Sequence, residues 1–438
     1  MADRRFLSAA QAADALAVTR ATLYAYASRG QVHSEPVPGD PKARRYHRDD
    51  IERLRERKEL RRDPARAAER GLHWGSPVLP SGITLIQDGA LYYRGHDALK
   101  LAEATTLESV AELLWDADPS ERGRLFDQPS PLTPRQLARL RSDTRDPIAM
   151  LQVALPLAAA HDTAGHDLRP AAVRRTGARI MRLFTSIVAG NALRLARPEL
   201  AERRARSGQA GLPPLHPRFG GPGKPGATHQ SIHASLQRAW APRNTAVAEV
   251  IRTALILCAD HELNVSAFTA RCVASAGSSP YDTVSAALAA LKGHRHGGES
   301  SRVAALLTEI GSPTRTRRVV ANRLRQGERI PGFGHPLYPA GDPRGATLLR
   351  LAERSGHARE WALVRSVRAA AADLLQELPN LDFGLAAIAR TYRLPEHAPL
   401  VLFALGRTAG WIAHAIEQYA TGALIRPRAR YTGPVPDM

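Results

Sequence analysis

The spacing of hydrophobic and polar positions follows the period of an α-helix through most of this chain. Beyond Leu99, apolar residues recur at helical intervals, as at Val284, Leu288 and Leu291. That spacing places apolar side chains on one face of a helix. The apolar run from 400 to 416 is long enough to form a buried helix. We therefore predict a mainly α-helical protein.

Residues 82–96 interrupt the helical pattern. Short apolar segments flank Asp88-Gly89, a pair that favours the tight turn between two antiparallel strands. We predict a small β-hairpin there, ahead of the helices.

A separate pattern occupies residues 1–60. Ser8 and Gln11 have the spacing of a capping box, and Thr19 can cap a second helix that Gly30 ends. Two short helices joined by a tight turn are typical of the helix-turn-helix unit.

Two segments are predicted to lie between folded elements. Mixed charges from 53 to 70 predict a solvent-exposed helix, and we place a connector at residues 61–80. The stretch 203–225 is rich in glycine and proline, which predicts a surface loop or linker.

The composition allows two or three domains and narrows the class of protein. Only two cysteines, Cys258 and Cys272, occur in 438 residues, which excludes a disulfide framework and favours the cytoplasm. We expect no membrane span, because no apolar run reaches the roughly 18 residues that one needs.

The formal net charge of +19 invites a comparison with nucleic-acid-binding proteins. However, five of the 61 basic residues are lysines and 56 are arginines, spread along the chain. So diffuse a charge indicates a coding bias rather than a phosphate-binding surface.

The segment 331–338, Pro-Gly-Phe-Gly-His-Pro-Leu-Tyr, carries the strongest chemical signal. His335 lies between closely spaced glycines, which let a backbone approach a ligand, and Arg344 follows it. A histidine and an arginine so placed suit recognition of a carbonyl next to a carboxylate. Other polar segments lie on both sides of this one: 260–264, 292–298, 381–383, 406–414 and 426–433.

Together these segments resemble the citrate synthase family, and the resemblance runs from about Ile83 to Pro434. It implies a mostly α-helical homodimer with its site in a cleft between two domains. The large domain would comprise residues 81–297 and 383–438, and the small domain residues 298–382.

The resemblance also implies a reaction. Acetyl-CoA, or propionyl-CoA, would condense with oxaloacetate to give citrate or 2-methylcitrate and CoA, with no tightly bound cofactor. One methylene changes selectivity in an apolar pocket by only about 10–200-fold, so both acyl-CoAs stay open at this stage.

Such a condensation needs a base and two hydrogen-bond donors, one for the enol and one for the ketone. The resemblance makes Asp382 the base, His296 the enol stabiliser and His335 the ketone polariser. Taken alone, Asp382 has the position of an ordinary helix cap and His335 that of a surface turn residue. His294 and His296 have the spacing of two zinc ligands, but no third ligand lies nearby in the sequence, so we predict no metal.

Three arginines are expected to hold the substrate carboxylates, because guanidinium groups pair bidentately with carboxylates. They are Arg344, Arg407 and Arg426. The family supplies the third of them across the dimer interface, and His261 would complete the oxaloacetate pocket.

The chain departs from the family's pattern on both sides of the reacting histidine and after Phe383. His294-Arg295 replace Pro-Leu, Glu299-Ser300 replace Ala-Asn, and Gly384-Leu385 replace Tyr-Ser. We expect the carboxylate of Glu299 to alter the protonation of His296, and Gly384 to bear on substrate preference. Family members often have a basic residue near the CoA phosphates, just after the tyrosine of the His335 loop, where this chain has Pro339-Ala340. Arg315, Arg317 and Arg318 either compensate for the missing basic residue or form a solvated basic face.

The segment 18–54 resembles the MerR/excisionase type of winged helix-turn-helix. In that reading Arg20, Thr22 and Tyr26 face the DNA groove, while Arg44 and Arg45 contact phosphates. A domain that keeps this shape without binding DNA, or that binds protein, is the alternative.

The N-terminal domain and the departures also support a second class of function. The chain could be a transcriptional regulator that uses a synthase-like domain to sense acyl-CoA or dicarboxylates. The presence of Asp382 favours the enzyme, since sensing alone does not need a base.

Overall fold

A computed structural model describes residues 6–37, 40–52, 54–55, 79–128, 130–143, 146–195, 230–355, 357–429 and 431–434. The chain forms two compact units, Met1–Pro80 and Ser81–Met438. The predicted loop at 203–225 and all of the predicted connector except 79–80 lie outside the described residues.

The first unit contains two helices and a three-stranded antiparallel sheet with strand order β1-β3-β2. Its elements are β1 Phe6–Ser8, α1 Ala9–Ala15, α2 Arg20–Ser28, β2 Ser34–Val37 and β3 Asp40–His47. Ser8 and Gln11 form the predicted capping box, and Thr19 caps α2 by accepting from the Thr22 N–H. A small core of residues such as Leu23 and Tyr46 holds the helices against the sheet.

The second unit opens with the predicted hairpin. Strands β4 Thr84–Gln87, β5 Ala90–Tyr93 and β6 His96–Asp97 pair in sequence order. Asp88 and Gly89 both adopt positive φ at the turn between β4 and β5, as an Asp-Gly hairpin turn requires.

The rest of the second unit is mainly helical, which confirms the predicted fold class. Its α-helices are α3 Ala98–Ala104, α4 Leu107–Leu114, α5 Pro134–Asp143, α6 Pro147–His161, α7 Pro170–Leu195, α8 Ile232–Trp240, α9 Val247–Leu257, α10 Val265–Ser275, α11 Pro280–Leu291, α12 Gly298–Ile310, α13 Thr316–Arg325, α14 Pro343–Glu353, α15 Ala358–Leu375, α16 Leu381–Thr391 and α17 Ala398–Thr421.

Helix α17 passes through the middle of the core. It is long and apolar enough to cross a membrane by length and composition, but 89% of its apolar window is buried inside the protein. Gly406 and Gly410 let it approach the end of α9 closely: a Cβ added at Gly406 would lie 2.4 Å from the Leu255 carbonyl oxygen. The close approach brings Arg407 beside the loop that follows α9.

Candidate active site

Five segments of the second unit position the predicted catalytic and substrate-binding side chains. These are the loop from 258 to 264, the turn before α12, the loop from 331 to 342, the start of α16 and the middle of α17.

The loop carrying His335 is hydrogen-bonded to the segment that begins α16. The Gly334 N–H donates to the Leu378 carbonyl at 2.9 Å, and the Asn380 N–H donates to the Gly332 carbonyl at 3.0 Å. The Asn380 side chain also donates to the Gly334 carbonyl at 3.2 Å. These bonds lie on both sides of Phe333. They therefore fix the position of His335 relative to the start of α16.

Asp382 lies in the first turn of α16, whose N-cap is Asn380. The Asn380 Oδ1 accepts from the backbone N–H groups of Asp382 and Phe383, so the Asp382 carboxylate is not used as the cap. Its Oδ1 is buried and has no hydrogen-bond partner among the residues that the structure describes. Burial, followed by the negative charge of Glu299, raises the pKa of Asp382 to about 7.

A carboxyl group in that setting is a competent base near neutral pH. Its raised pKa makes it a stronger proton acceptor than an exposed aspartate. The ordinary helix-cap interpretation of Asp382 is therefore replaced: Asn380 caps the helix, and Asp382 presents an unpaired oxygen.

His296 precedes α12 on a turn closed by a hydrogen bond from its N–H to the Gly293 carbonyl. Its Nε2 lies 2.8 Å from the Ser266 Oγ. Burial, and then the charge of Arg407, lowers the pKa of His296 to about 4, so its ring is neutral at pH 7. The adjacent glycines allow this turn: a Cβ on Gly297 would lie 2.7 Å from the Leu291 side chain.

Ser266 connects His296 to the interior. Its Oγ accepts from the Trp411 Nε1–H at 3.1 Å and lies 2.8 Å from the Asn264 Oδ1. The one hydroxyl proton can go to Asn264 or to the His296 Nε2. When it goes to His296, the ring carries its own proton on Nδ1 and can donate a hydrogen bond from that atom.

His335 has a defined tautomer. The Leu337 N–H donates to the His335 Nδ1 at 3.2 Å, which places the proton of the neutral ring on Nε2. Burial, and then Arg344, lowers the pKa of His335 to about 4. The ring therefore offers Nε2–H as a neutral donor at pH 7.

Tyr338, on the same loop, links His335 to His261. The Tyr338 hydroxyl lies 3.1 Å from the His261 Nε2, and the two histidine rings are 5.1 Å apart in an edge-to-face arrangement. Burial, with the charges of Arg344 and Arg407, holds the pKa of His261 well below its usual value. Burial raises the pKa of Tyr338 to about 12, so this pair is also neutral.

Arg344 and Arg407 are both buried near these histidines, but they differ in their partners. Arg344 forms a two-pronged pair with Asp342, from Nε to Oδ1 at 3.0 Å and from Nη2 to Oδ2 at 2.8 Å. Arg407 donates from Nε to the Cys258 carbonyl at 2.7 Å, while its Nη1 is buried without a partner among the described residues. An unpaired, buried guanidinium nitrogen needs an acceptor, such as a carboxylate.

Asp260 and His414 lie close together near Arg407. The His414 Nε2 is 3.2 Å from the Asp260 Oδ1, and both side chains are fully buried. Burial works against the charged form of Asp260, but His414 and Arg407 outweigh it and lower its pKa. The negative charge of Asp260 helps to balance Arg407.

Arg426 is not brought to this cluster within the chain. It lies exposed on the segment that follows α17, where Leu424 and Tyr431 are also exposed, at 60% and 73%. The role of this arginine across a dimer interface, which the resemblance implies, stays a prediction.

The positions at which the chain departs from the family pattern differ in exposure, packing and effect on the charged groups of the site. His294 and Arg295 are exposed. A Cβ on Gly384 would lie 2.9 Å from the Leu348 Cβ, so this glycine allows close packing of α14 and α16. The charge of Glu299 raises the pKa of Asp382, whereas the pKa of His296 is shifted by burial and by Arg407. Our expectation that Glu299 acts on His296 is therefore corrected.

Several side chains at this site were not predicted from the sequence. Ser266 and Tyr338 lie beside His296 and His261 only because distant segments meet in the fold, and Asp260 interacts with Arg407 for the same reason. Asp342, by contrast, is only two positions from its partner Arg344. Among the described residues, no group of three or more His, Cys, Asp or Glu side chains could hold a metal ion.

The predicted DNA-contacting residues of the first unit differ in how exposed they are and in whether they bind other residues of the domain. Arg20 is exposed on α2, whereas Tyr26 is half-buried and packs against the small core. Thr22 is also half-buried, with its hydroxyl 2.9 Å from that of Thr19. Two predicted phosphate contacts, Arg44 and Arg45, bind within the sheet, to Ser34 and Glu35 respectively.

Comparison with known proteins agrees with the geometry of the second unit. Residues 71–428 match the family model described as citrate synthase, C-terminal domain. Citrate synthase 2 of Bacillus subtilis is 30% identical over 380 residues, which cover 84% of this chain and 96% of that protein. A 2-methylcitrate synthase of Mycobacterium tuberculosis is 34% identical over 362 residues, with coverage of 79% and 86%.

Two solved structures are similar in fold. A crystal structure of citrate synthase from Thermotoga maritima has a TM-score of 0.65 at 26% identity and covers 83% of this chain and 96% of its own. The citrate synthase of Thermoplasma acidophilum, in a ternary complex with carboxymethyl coenzyme A and oxaloacetate, has a TM-score of 0.68 at 25% identity, with coverage of 84% and 97%.

Proposed function

The chain belongs to the citrate synthase family, and we propose that it condenses an acyl-CoA with oxaloacetate in the cleft around Asp382. The observation that carries the proposal is the buried carboxylate of Asp382, whose Oδ1 has no hydrogen-bond partner among the described residues and whose pKa is raised to about 7. Neutral histidines and an incompletely paired arginine accompany it. This combination supplies a base, two donors and an anion site, which the condensation requires.

The first step is removal of a proton from the carbon next to the thioester carbonyl. Asp382 accepts this proton, and the Nδ1–H of His296 donates a hydrogen bond to the enol oxygen that forms. A neutral donor suits this role, because it stabilises the enol without first binding a proton.

The second step forms the carbon–carbon bond. The nucleophilic carbon so formed attacks the ketone of oxaloacetate, whose oxygen accepts a hydrogen bond and then the proton of the His335 Nε2–H. The proton that Asp382 removed returns to the His335 ring before the next turnover. Hydrolysis of the thioester by water then releases CoA and the product tricarboxylate. Arg344, Arg407 and His261 hold the carboxylates of oxaloacetate and of the product.

We also propose that the second unit consists of two domains, a small one of residues 298–382 and a large one of residues 81–297 and 383–438. His335 and Asp382 then belong to the small domain, while His261, His296 and Arg407 belong to the large one. The two sets already meet, with the His261 and His335 rings 5.1 Å apart. Opening between the domains would admit the substrates, and closure would exclude water.

The direct test is thiol release from acetyl-CoA and from propionyl-CoA, with and without oxaloacetate. We expect oxaloacetate-dependent release that Asp382→Ala abolishes, while the matched change at exposed Asp373 on α15 leaves it intact. The ratio of the two rates identifies the acyl group, since relatives of both kinds exist. Absence of release from folded protein with either acyl-CoA would refute the synthase and favour the sensor.

We further propose that the protein acts as a homodimer in the cytoplasm, with Arg426 entering the partner's site. Exposure of Arg426 and Tyr431 in the single chain supports this arrangement. Mixing the Asp382→Ala and Arg426→Ala variants under conditions that exchange subunits would then restore activity, because each mixed dimer has one intact site. Random mixing predicts about a quarter of wild-type activity, whereas no recovery would refute a shared site.

For the first unit we propose a winged helix-turn-helix-like domain, on the basis of helices α1 and α2 against a three-stranded sheet. The exposed residues Arg20 and Tyr24 of α2 are the candidate DNA contacts. A mobility-shift titration of the full chain, at low and moderate salt, tests it against Arg20→Glu. Binding that weakens in the variant and with salt supports the proposal, and absence of binding at low salt refutes it.

A further inference from the structure

We infer that Glu299 is a positioning residue, which joins the helix after His296 to the His335 loop. Its carboxylate also adds a negative charge near the Asp382 carboxylate. The inference rests on the proposed synthase function and deepens it. It concerns a position where the chain departs from the family pattern, with glutamate in place of alanine.

Glu299 lies in the first turn of α12, and its side chain is only 13% exposed. The Gly332 N–H donates to the Glu299 Oε1 at 3.2 Å. The other oxygen, Oε2, pairs with Arg302 at 3.2 Å. One carboxylate thus fastens the loop on one side and is held by its own helix on the other.

Gly332 is the point at which α12, the His335 loop and α16 meet. It has a φ of +89°, and an added Cβ would lie 2.7 Å from Val303 of α12 and 3.0 Å from Phe383 of α16. Its carbonyl accepts from the Asn380 N–H, and Asn380 caps the turn that carries Asp382. A single glycine therefore separates Glu299 from the base-bearing end of α16.

The charged groups around Asp382 come from three elements. Glu299 faces it from α12, Asp342 and Arg344 from the start of α14, and Arg407 from α17. Arg344 is already paired with Asp342, and the Arg302 partner of Glu299 is 45% exposed and well solvated. The charge of Glu299 is therefore the least compensated of the anions facing the base.

Two consequences follow for the reaction. Glu299 makes Asp382 a stronger base once it is ionised, and it moves that ionisation to higher pH. Its hydrogen bond to Gly332 also keeps the His335 loop in register with the turn that carries His296. The first effect depends on charge, and the second needs only an acceptor oxygen.

The variants Glu299→Gln and Glu299→Ala separate these effects. Glutamine keeps an oxygen for the Gly332 N–H but removes the charge, whereas alanine removes both. We would measure oxaloacetate-dependent thiol release at saturating substrate over the pH range in which the protein stays folded. The acid limb of the rate profile should move to lower pH by about one unit in Glu299→Gln, with a lower plateau because the base is weaker.

Alanine should produce the same displacement of the acid limb together with a further loss of rate from the loosened loop. Arg302→Gln should move the acid limb in the opposite direction, because it removes the cation beside Glu299. This exposed substitution also tests the inference if the Glu299 variants fail to fold. Glu309→Gln, at the far end of the same helix, is the matched control and should leave the profile unchanged.

The outcomes distinguish this inference from the proposed function. Absence of turnover in the wild type refutes the synthase proposal and removes the basis of the inference with it. If the wild type turns over but the acid limbs of Glu299→Gln and Arg302→Gln coincide with that of Glu309→Gln, the inference about Glu299 is overturned. The synthase proposal then stands. Opposite displacements in the two variants support it.

Discussion

Replacing Asp382 by asparagine should stabilise the folded protein at alkaline pH while abolishing turnover. The substitution keeps the size of the side chain and removes its charge. Because the Asp382 pKa is raised in the folded state, folding opposes ionisation of this carboxyl group. The wild type should therefore lose stability as the pH rises through the range between its unfolded and folded pKa values.

The magnitude follows from the two pKa values. The pKa of Asp382 rises from 3.8 to about 7 on folding, and one pH unit corresponds to about 1.36 kcal/mol. The folded state binds more protons than the unfolded state across this range, so the free energy of unfolding falls with pH. Its full loss approaches about 4 kcal/mol above pH 7, of which roughly 2–3 kcal/mol falls between about pH 5 and pH 8.

Asparagine brings a penalty of its own. Its amide must occupy a site where the Asp382 Oδ1 has no partner among the described residues, and an unsatisfied buried polar group costs about 1–3 kcal/mol. This penalty does not depend on pH. The difference between the variant's advantage at high and at low pH therefore isolates the effect of the charge.

Urea unfolding of both proteins at a series of pH values measures this difference. We expect the free energy of unfolding of the variant to rise by about 2–3 kcal/mol relative to that of the wild type between about pH 5 and pH 8. Asp373→Asn, which removes an exposed carboxylate paired with Arg317, should show little such gain. If the stability of Asp382→Asn relative to the wild type stayed constant or fell as the pH rises, ionisation of Asp382 would have no net cost in the folded state. The assignment of a desolvated base would then be wrong.

Three further substitutions test the surroundings of the base. Tyr338→Phe removes the hydroxyl beside the His261 Nε2 and should raise the KM for oxaloacetate by about 3–10-fold, with a smaller change in kcat; equal saturation curves would contradict the role of that contact. Arg407→Lys should weaken oxaloacetate binding, measured by calorimetry, by about 10–100-fold, because an ammonium group cannot reproduce the guanidinium fork. An unchanged Kd would remove Arg407 from the pocket. Gly384→Ala should lower the free energy of unfolding by about 1–3 kcal/mol, since its Cβ would press on Leu348, and an unshifted thermal transition would show that the helices separate easily.

The parts of the fold that depend on local signals could be predicted from the sequence. The capping box at Ser8 and the turn at Asp88-Gly89 each involve residues within a few positions of one another. Their geometry is set by nearby backbone atoms, so a short segment is enough to specify it. The helical spacing after Leu99 works in the same way.

The contacts of the candidate site were less predictable, because they join residues far apart in the chain. Ser266 lies beside His296, and Tyr338 lies beside His261, only after the helices have packed. The electrostatic role of Glu299 shows the same limit. The nearest titratable site residue to Glu299 in the sequence is His296. In the structure, the charge of Glu299 instead raises the pKa of Asp382, and its carboxylate binds the Gly332 N–H.

Arg344 illustrates a further difference between a motif and a structure. The resemblance predicts it to be a carboxylate clamp, and the structure shows it paired with Asp342. Burial works against its charge, but Asp342 and Tyr338 outweigh burial and raise its pKa. A substrate carboxylate must therefore share this guanidinium with a residue two positions away.

The burial of α17 bears on how the chain avoids a membrane before it has folded. This 24-residue helix is apolar enough to resemble a membrane span, and the core covers it only once the chain has folded. Arg407 and His414 lie near its middle, and an arginine at the centre of a segment disfavours insertion by about 2.5–3.5 kcal/mol. The same guanidinium that is proposed to bind oxaloacetate in the folded enzyme would thus help to keep the unfolded chain out of the lipid bilayer.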